Sequence, residues 1–130
     1  MQMRIVMWAA LVSCGSSSLV QAQDAVKVDA KHYSVMSENA QVRILKVHYG
    51  PHEKSIMHSH PATVAVFLND AKGKFTFPDG KSRDFAVKAG EAMYSAAETH
   101  LPENTGDQPL DVIVIELKSK PAKPAKASAN

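Results

Sequence analysis

The sequence predicts an all-β domain, folded as a sandwich or a barrel of seven to ten short strands. Turn signals recur every eight to twelve residues, at Gly50-Pro51, Asn69-Asp70, Asp79-Gly80, Ala89-Gly90 and residues 104–107. Between them the chain either alternates apolar and polar residues or runs unbroken through β-branched and apolar ones, and no useful stretch carries helical spacing. At 130 residues there is room for one core, and 45% hydrophobic with 22% charged residues is the balance of a globular chain rather than a disordered or fibrous one.

The strand pattern begins at Tyr33. Val42, Ile44 and Lys46 alternate with Arg43, Leu45 and Val47, whereas residues 64–68 form a continuous apolar run suited to a buried strand. Phe75-Thr76-Phe77 and Phe85-Ala86-Val87 flank Pro78-Asp79-Gly80-Lys81, a hairpin whose turn residues supply the required backbone angles. Leu110–Leu117 sets Asp111, Ile113, Ile115 and Leu117 against Val112, Val114 and Glu116, and reads as the closing strand.

Both ends differ from this body. Residues 1–22 start with Arg4 among methionines, continue through an apolar run over residues 5–14 and finish in Val20-Gln21-Ala22, the order of a secretory signal peptide with cleavage expected after Ala22. The apolar run is too short to span a bilayer, so no transmembrane segment is expected. Cleavage there removes Cys14, the sole cysteine, and leaves no thiol or disulfide chemistry. A second reading of Leu11-Val12-Ser13-Cys14 is a lipoprotein box, with Cys14 lipidated and the protein held at a membrane surface. Residues 118–130, rich in Lys, Pro and Ala, cannot build a core and read as a disordered tail. Residues 25–117 carry ten Lys/Arg against twelve Asp/Glu, so the folded part offers no basic face for nucleic acid. The expected organisation is leader 1–22, β-domain 23–117 and tail 118–130, in a periplasmic or secreted protein.

Three of the six histidines carry the chemistry. His58 and His60 are two apart, so on a strand both side chains share one face and can share one ion. His100 follows much later, after the Ala89-Gly90 turn, at the start of another short strand. Imidazole is a common ligand for zinc, copper, iron and nickel, and three of them leave coordination positions open for water or substrate.

Gly50-Pro51-His52-Glu53-Lys54-Ser55-Ile56-Met57-His58-Ser59-His60-Pro61 resembles the first cupin motif, and Lys88-Ala89-Gly90-Glu91 through Thr99-His100-Leu101-Pro102-Glu103-Asn104 resembles the second. The resemblance covers residues 42–118 and includes the Pro78-Asp79-Gly80 hairpin between the motifs. It implies a double-stranded β-helix, or jelly roll, with a divalent metal such as Fe, Zn, Mn or Ni in the mouth of the barrel on His58, His60 and His100. It also implies a small-molecule ligand or substrate and, frequently, a homodimer built through edge strands.

Two departures stand out. Metal-binding cupins usually place a glutamate a few residues after the histidine pair, where this chain has Thr63 or Val64; in the second motif Ala96 and Glu98 replace a more usual proline and glycine. The resemblance then implies either a neutral three-histidine site, as in cupins that oxidise thiols or diketones with non-haem iron, or a site that has lost its metal. Glu98, two residues before His100, is a candidate replacement carboxylate. Tyr94 and Glu98 are the candidate proton-handling, catalytic groups.

The remaining candidates have ordinary readings. His32, His48 and His52 are expected to be hydrogen-bonded only, Asn104 to fix the turn after the His100 strand, and Glu53 and Lys54 to face solvent. Met57, Phe67, Met93 and Tyr94 are candidate pocket residues, with core packing favoured for Phe67 and Met93. Two functions remain open: a metalloenzyme acting on a small molecule, and a non-catalytic small-molecule-binding cupin of the bacterial envelope.

Overall fold

The structure is a computed structural model that describes residues 23–118. The expected leader, with Cys14 and its cleavage site, and the tail beyond Lys118 lie outside the described residues.

Among the described residues, nine strands follow a single helical turn: α1 (Ala25–Val28), β1 (Tyr33–Glu38), β2 (Val42–Tyr49), β3 (His58–His60), β4 (Thr63–Phe67), β5 (Ala71–Thr76), β6 (Ser82–Val87), β7 (Ala92–Ser95), β8 (Glu98–Asn104) and β9 (Leu110–Leu117). They form two antiparallel sheets, ordered β1-β2-β9-β4-β7 and β3-β8-β5-β6. Strands distant in sequence are neighbours, β9 lying between β2 and β4 and β8 between β3 and β5, which is the double-stranded β-helix, or jelly roll, that the motifs imply.

Alternation along β2 and β9 decides what is inside. Leu45, Val47 and Tyr49 of β2 and Leu110 and Val112 of β9 are buried, while Lys46 and His48 are exposed between them. Register then stacks the inward residues in rows across the larger sheet: Val47–Val112–Phe67, next Leu45–Val114–Ala65–Met93, and next Arg43–Glu116–Thr63–Ser95. The first two rows are apolar and the third is polar, so the barrel has a greasy interior and one polar end. Burying each large side chain of the apolar rows contributes about 1.5–3 kcal/mol.

The expected hairpin is present, with β5 and β6 longer and more evenly matched than the aromatic triplets alone indicate. Gly80 takes φ +83°, and Phe77 N–H donates to the Lys81 carbonyl at 2.8 Å, which places Phe77 in the turn rather than in the strand. α1 has no counterpart in the periodicity. It is one turn, capped by the Asp24 carboxylate on Val26 N–H at 2.9 Å and held by the full burial of Ala25.

Candidate metal centre

β3 is only three residues long and carries two of the histidines, both buried, with Ser59 turned to the other face. β8 pairs with it so that His58 lies opposite His100. Backbone pairing thus closes the long sequence gap between the motifs. The ring centroids of His58 and His60, His58 and His100, and His60 and His100 are 4.8, 5.1 and 5.4 Å apart. One ligand atom from each ring lies within 4.8 Å of the others, the spacing of a group that could hold one metal ion.

Each Nδ1 is occupied by an acceptor. His58 Nδ1 donates to the Ile56 carbonyl at 2.7 Å, His60 Nδ1 to Glu116 Oε1 at 2.7 Å, and His100 Nδ1 to Glu98 Oε1 at 2.8 Å. A carbonyl can only accept, so His58 carries its proton on Nδ1 and presents a lone pair at Nε2. That Nε2 is buried and has no hydrogen-bond partner. A buried polar atom without a partner costs about 1–3 kcal/mol, and a cation at the centre of the three rings would relieve it. The donor set fits the metal that the fold implies.

The electrostatics agree. Burial first, then the charge of His60, pushes His58 down to about 4, and burial followed by the charges of His58, His60 and Arg83 pushes His100 down to about 3. Both rings are therefore unprotonated at neutral pH, as a ligand must be. Burial acts to raise Glu116, yet its hydrogen bonds with His60 and Arg43 outweigh this and hold it below the usual carboxylate range. Glu116 is almost fully buried and receives Arg43 Nε at 2.6 Å, while Arg43 Nη1 reaches Asp24 at 2.8 Å. His60, Glu116, Arg43 and Asp24 form one chain of charge-assisted bonds running outward from the site.

His58 is backed by a separate network. The Ser55 hydroxyl donates to Asp29 at 2.5 Å and lies 3.4 Å from His58 Nδ1. His32 is buried between two carboxylates, Nδ1 on Asp29 at 2.8 Å and Nε2 on Glu53 at 2.7 Å, and stacks on Tyr49 at 4.4 Å.

The other sequence candidates divide between those placed as expected and those placed otherwise. Glu98, the candidate replacement carboxylate, places Oε1 on Nδ1 of His100 and lines the cavity below. Tyr94 is 68% exposed on β7, whose alternation turns Met93 and Ser95 to the cavity and Tyr94 to the outside. Phe67 and Met93 both line the cavity and pack with the core, whereas Met57 is not among the lining residues. Glu53, expected in solvent, is half-buried and tied to His32, Gly50 N–H and Lys31; Lys54 is exposed. Exposed His48 and His52 pair with Asp111 and Asp107. Asn104 is fully buried and bonds Gly50 O, Gln108 O and Gly106 N–H, fixing the turn after β8. Sequence reasoning missed Glu116 and Arg43, although each sits at an inward position of a strand whose alternation was legible, an unusual place for a charge without a partner.

No protein-family model matches the chain, and no curated protein matches it. Solved structures match at the level of fold. A cupin domain from Bordetella pertussis Tohama I gives a TM-score of 0.62 at 20% identity, covering 67% of this chain and 92% of that one. An RmlC-like cupin with a double-stranded β-helix fold from Methanocaldococcus jannaschii gives 0.51 at 16% identity, over 68% and 83% of the two chains. The polyketide cyclase RemF from Streptomyces resistomycificus gives 0.52 at 18% identity, over 68% and 66%. The chain has the cupin fold, with a buried three-histidine group at the polar end of its barrel.

Proposed function

We propose that this protein is an exported metal-binding cupin in which His58, His60 and His100 hold one divalent ion through Nε2, leaving positions open towards the barrel cavity for a small molecule. The observation that carries the reading is the buried, partnerless Nε2 of His58 beside two further rings whose Nδ1 atoms are likewise engaged. Glu98 and Glu116 stand in for the missing first-motif glutamate at one remove: bonded to Nδ1, they orient the rings without touching the ion.

The ion, when bound, supplies a Lewis acid or, if it is iron, an oxygen-activating centre. The all-imidazole set suits Fe, Zn or Ni better than a hard ion such as Mn. Around it, Thr63 and Ser95 present hydroxyls at the cavity, and Glu98 is the carboxylate placed to accept a proton from a bound molecule. Tyr94, facing outward, takes no part in this reading. Because Glu98 already holds His100, and among the described residues no further carboxylate lines the cavity, a purely binding role for the same centre is the alternative.

Elemental analysis of protein purified from its native compartment tests the reading. One equivalent of a first-row metal in the wild type, lost in His58→Ala, is expected; wild-type protein without metal, or unchanged content in the variant, overturns it. Oxygen uptake with iron(II) and a panel of small substrates separates enzyme from binder. Export is proposed on the leader, and mass spectrometry of the mature chain should find Gln23 at its N-terminus. A homodimer is proposed through the edges that β1 and β7 form in the larger sheet among the described residues, with Val35 and Met36 exposed on β1, and light scattering checks it.

A further inference from the structure

The cavity beneath the histidines has a layered chemistry. Its polar groups gather at the mouth, where Thr63 and Ser95 face each other across β4 and β7 beside His60 and His100. One row further in, the wall becomes Val114, Ala65 and Met93, and beyond that Val112 and Phe67. From the opposing wall an aromatic run reaches across to Phe67. Phe75 stacks on His100 at 4.8 Å and 8°, Phe85 on Phe75 at 4.8 Å and 27°, and Phe67 lies 6.0 Å from Phe85. Gly73 makes this run possible, since a Cβ there would overlap the Phe85 ring.

We infer that this cavity takes a short aliphatic carboxylate, with its head at the three histidines and its hydrocarbon chain against the aromatic wall. The inference rests on the metal-binding reading and adds to it the class of molecule bound. Three observations select the class. Apart from Tyr33 and Tyr49, whose hydroxyls bond each other at 2.7 Å, no polar side chain lines the space below the mouth, so each hydroxyl of a sugar or polyol would be buried without a partner, at a loss of about tenfold or more in affinity. The cavity measures about 70 Å³, roughly half of the 150 Å³ or so that admits a benzene ring, so the body is a chain of about three or four carbons and not an aromatic ring. At the mouth the imidazole ligands bring no negative charge; Glu98 and Glu116 each place one carboxylate oxygen on the far nitrogen of a ring, and Glu98 is the one of the two that also lines the cavity. An anionic head therefore meets the ion's charge, and a carboxylate has a second oxygen to accept from Thr63 or Ser95.

The test uses the full mature chain loaded with zinc, with zinc content measured first. Acetate, propionate, butyrate and valerate are titrated by calorimetry, followed by 4-hydroxybutyrate, which matches valerate in heavy atoms but ends in a hydroxyl. Affinity should climb about three- to fourfold per methylene until the cavity is full, and 4-hydroxybutyrate should bind at least about tenfold more weakly than valerate. Ala65→Leu, which fills the cavity, should abolish the chain-length dependence while acetate and zinc are still bound. A flat series, or a preference for 4-hydroxybutyrate, in protein holding one zinc overturns the ligand class and leaves the metal centre standing. Protein that takes up no zinc overturns the metal reading, and the ligand proposal with it.

Discussion

Acidifying the metal-free protein from pH 7 to pH 4 should destabilise it through two residues. His58 and His100 are buried at 1% and 8% exposure, and their folded values lie near 4 and 3. An unfolded histidine titrates near 6.5, so between pH 6.5 and about 4 the unfolded chain binds more protons than the folded one, and stability falls as pH falls. Above pH 6.5 these groups contribute no slope. Each pH unit between the unfolded and folded values is worth about 1.4 kcal/mol, so by pH 4 His58 and His100 each correspond to about 3 kcal/mol, and His100 would lose more only below that pH. Part of each displacement is repulsion among the three rings, so the two are not additive and a combined loss on the order of 5 kcal/mol is expected. That is comparable with the whole stability of a small domain. Urea unfolding followed by circular dichroism, in chelator at half-unit pH steps, measures it. Glu116 loses its contribution only below its unfolded value near 4.5, so the window from 6.5 to 5 belongs to the histidines. Stability flat across that window, or a His58→Gln variant as steep as wild type, would refute the reasoning.

Three further outcomes follow from the same contacts. Glu116→Gln removes the anion that both His60 and Arg43 address, and should weaken metal binding about 10- to 100-fold in competition with a chromophoric chelator. Asn104→Ala leaves the Gly50 and Gln108 carbonyls and the Gly106 N–H without their buried partner, and should cost about 2–4 kcal/mol in denaturant titration. Gly73→Ala drives a Cβ into the Phe85 ring and to 2.8 Å from the Glu103 carbonyl oxygen; a loss of about 1–3 kcal/mol and an altered near-ultraviolet dichroism spectrum should report the displaced ring.

Much of the fold was legible because a strand needs only a period of two and a turn at each end. β2, β9 and the β5–β6 hairpin show both features in sequence. α1 was not legible: four residues are too few for periodicity, and this turn exists through Asp24 capping and the docking of Ala25. The three histidines could be singled out because His58 and His60 share a face on any strand, but what surrounds them could not. Glu116 and Arg43 are 73 residues apart and become partners only through the β2–β9 register. Tyr94 shows the same limit from the other side. Alternation separates it from Met93, and only the pairing of β7 with β4 decides which of the two faces inward.

Three residues make a poor strand by themselves, and β3, with two of the three rings, is no longer than that. On one side it has β8; on the other, Ser59 N–H donates at 2.7 Å to the carbonyl of Gln23, and Asp24 beside it anchors Arg43. Gln23 and Asp24 therefore support β3 on the side away from β8, the same short strand that carries two donors of the candidate centre. Trimming a handful of amino-terminal residues, a change remote from the histidines in the chain, should erode metal retention before it erodes the barrel.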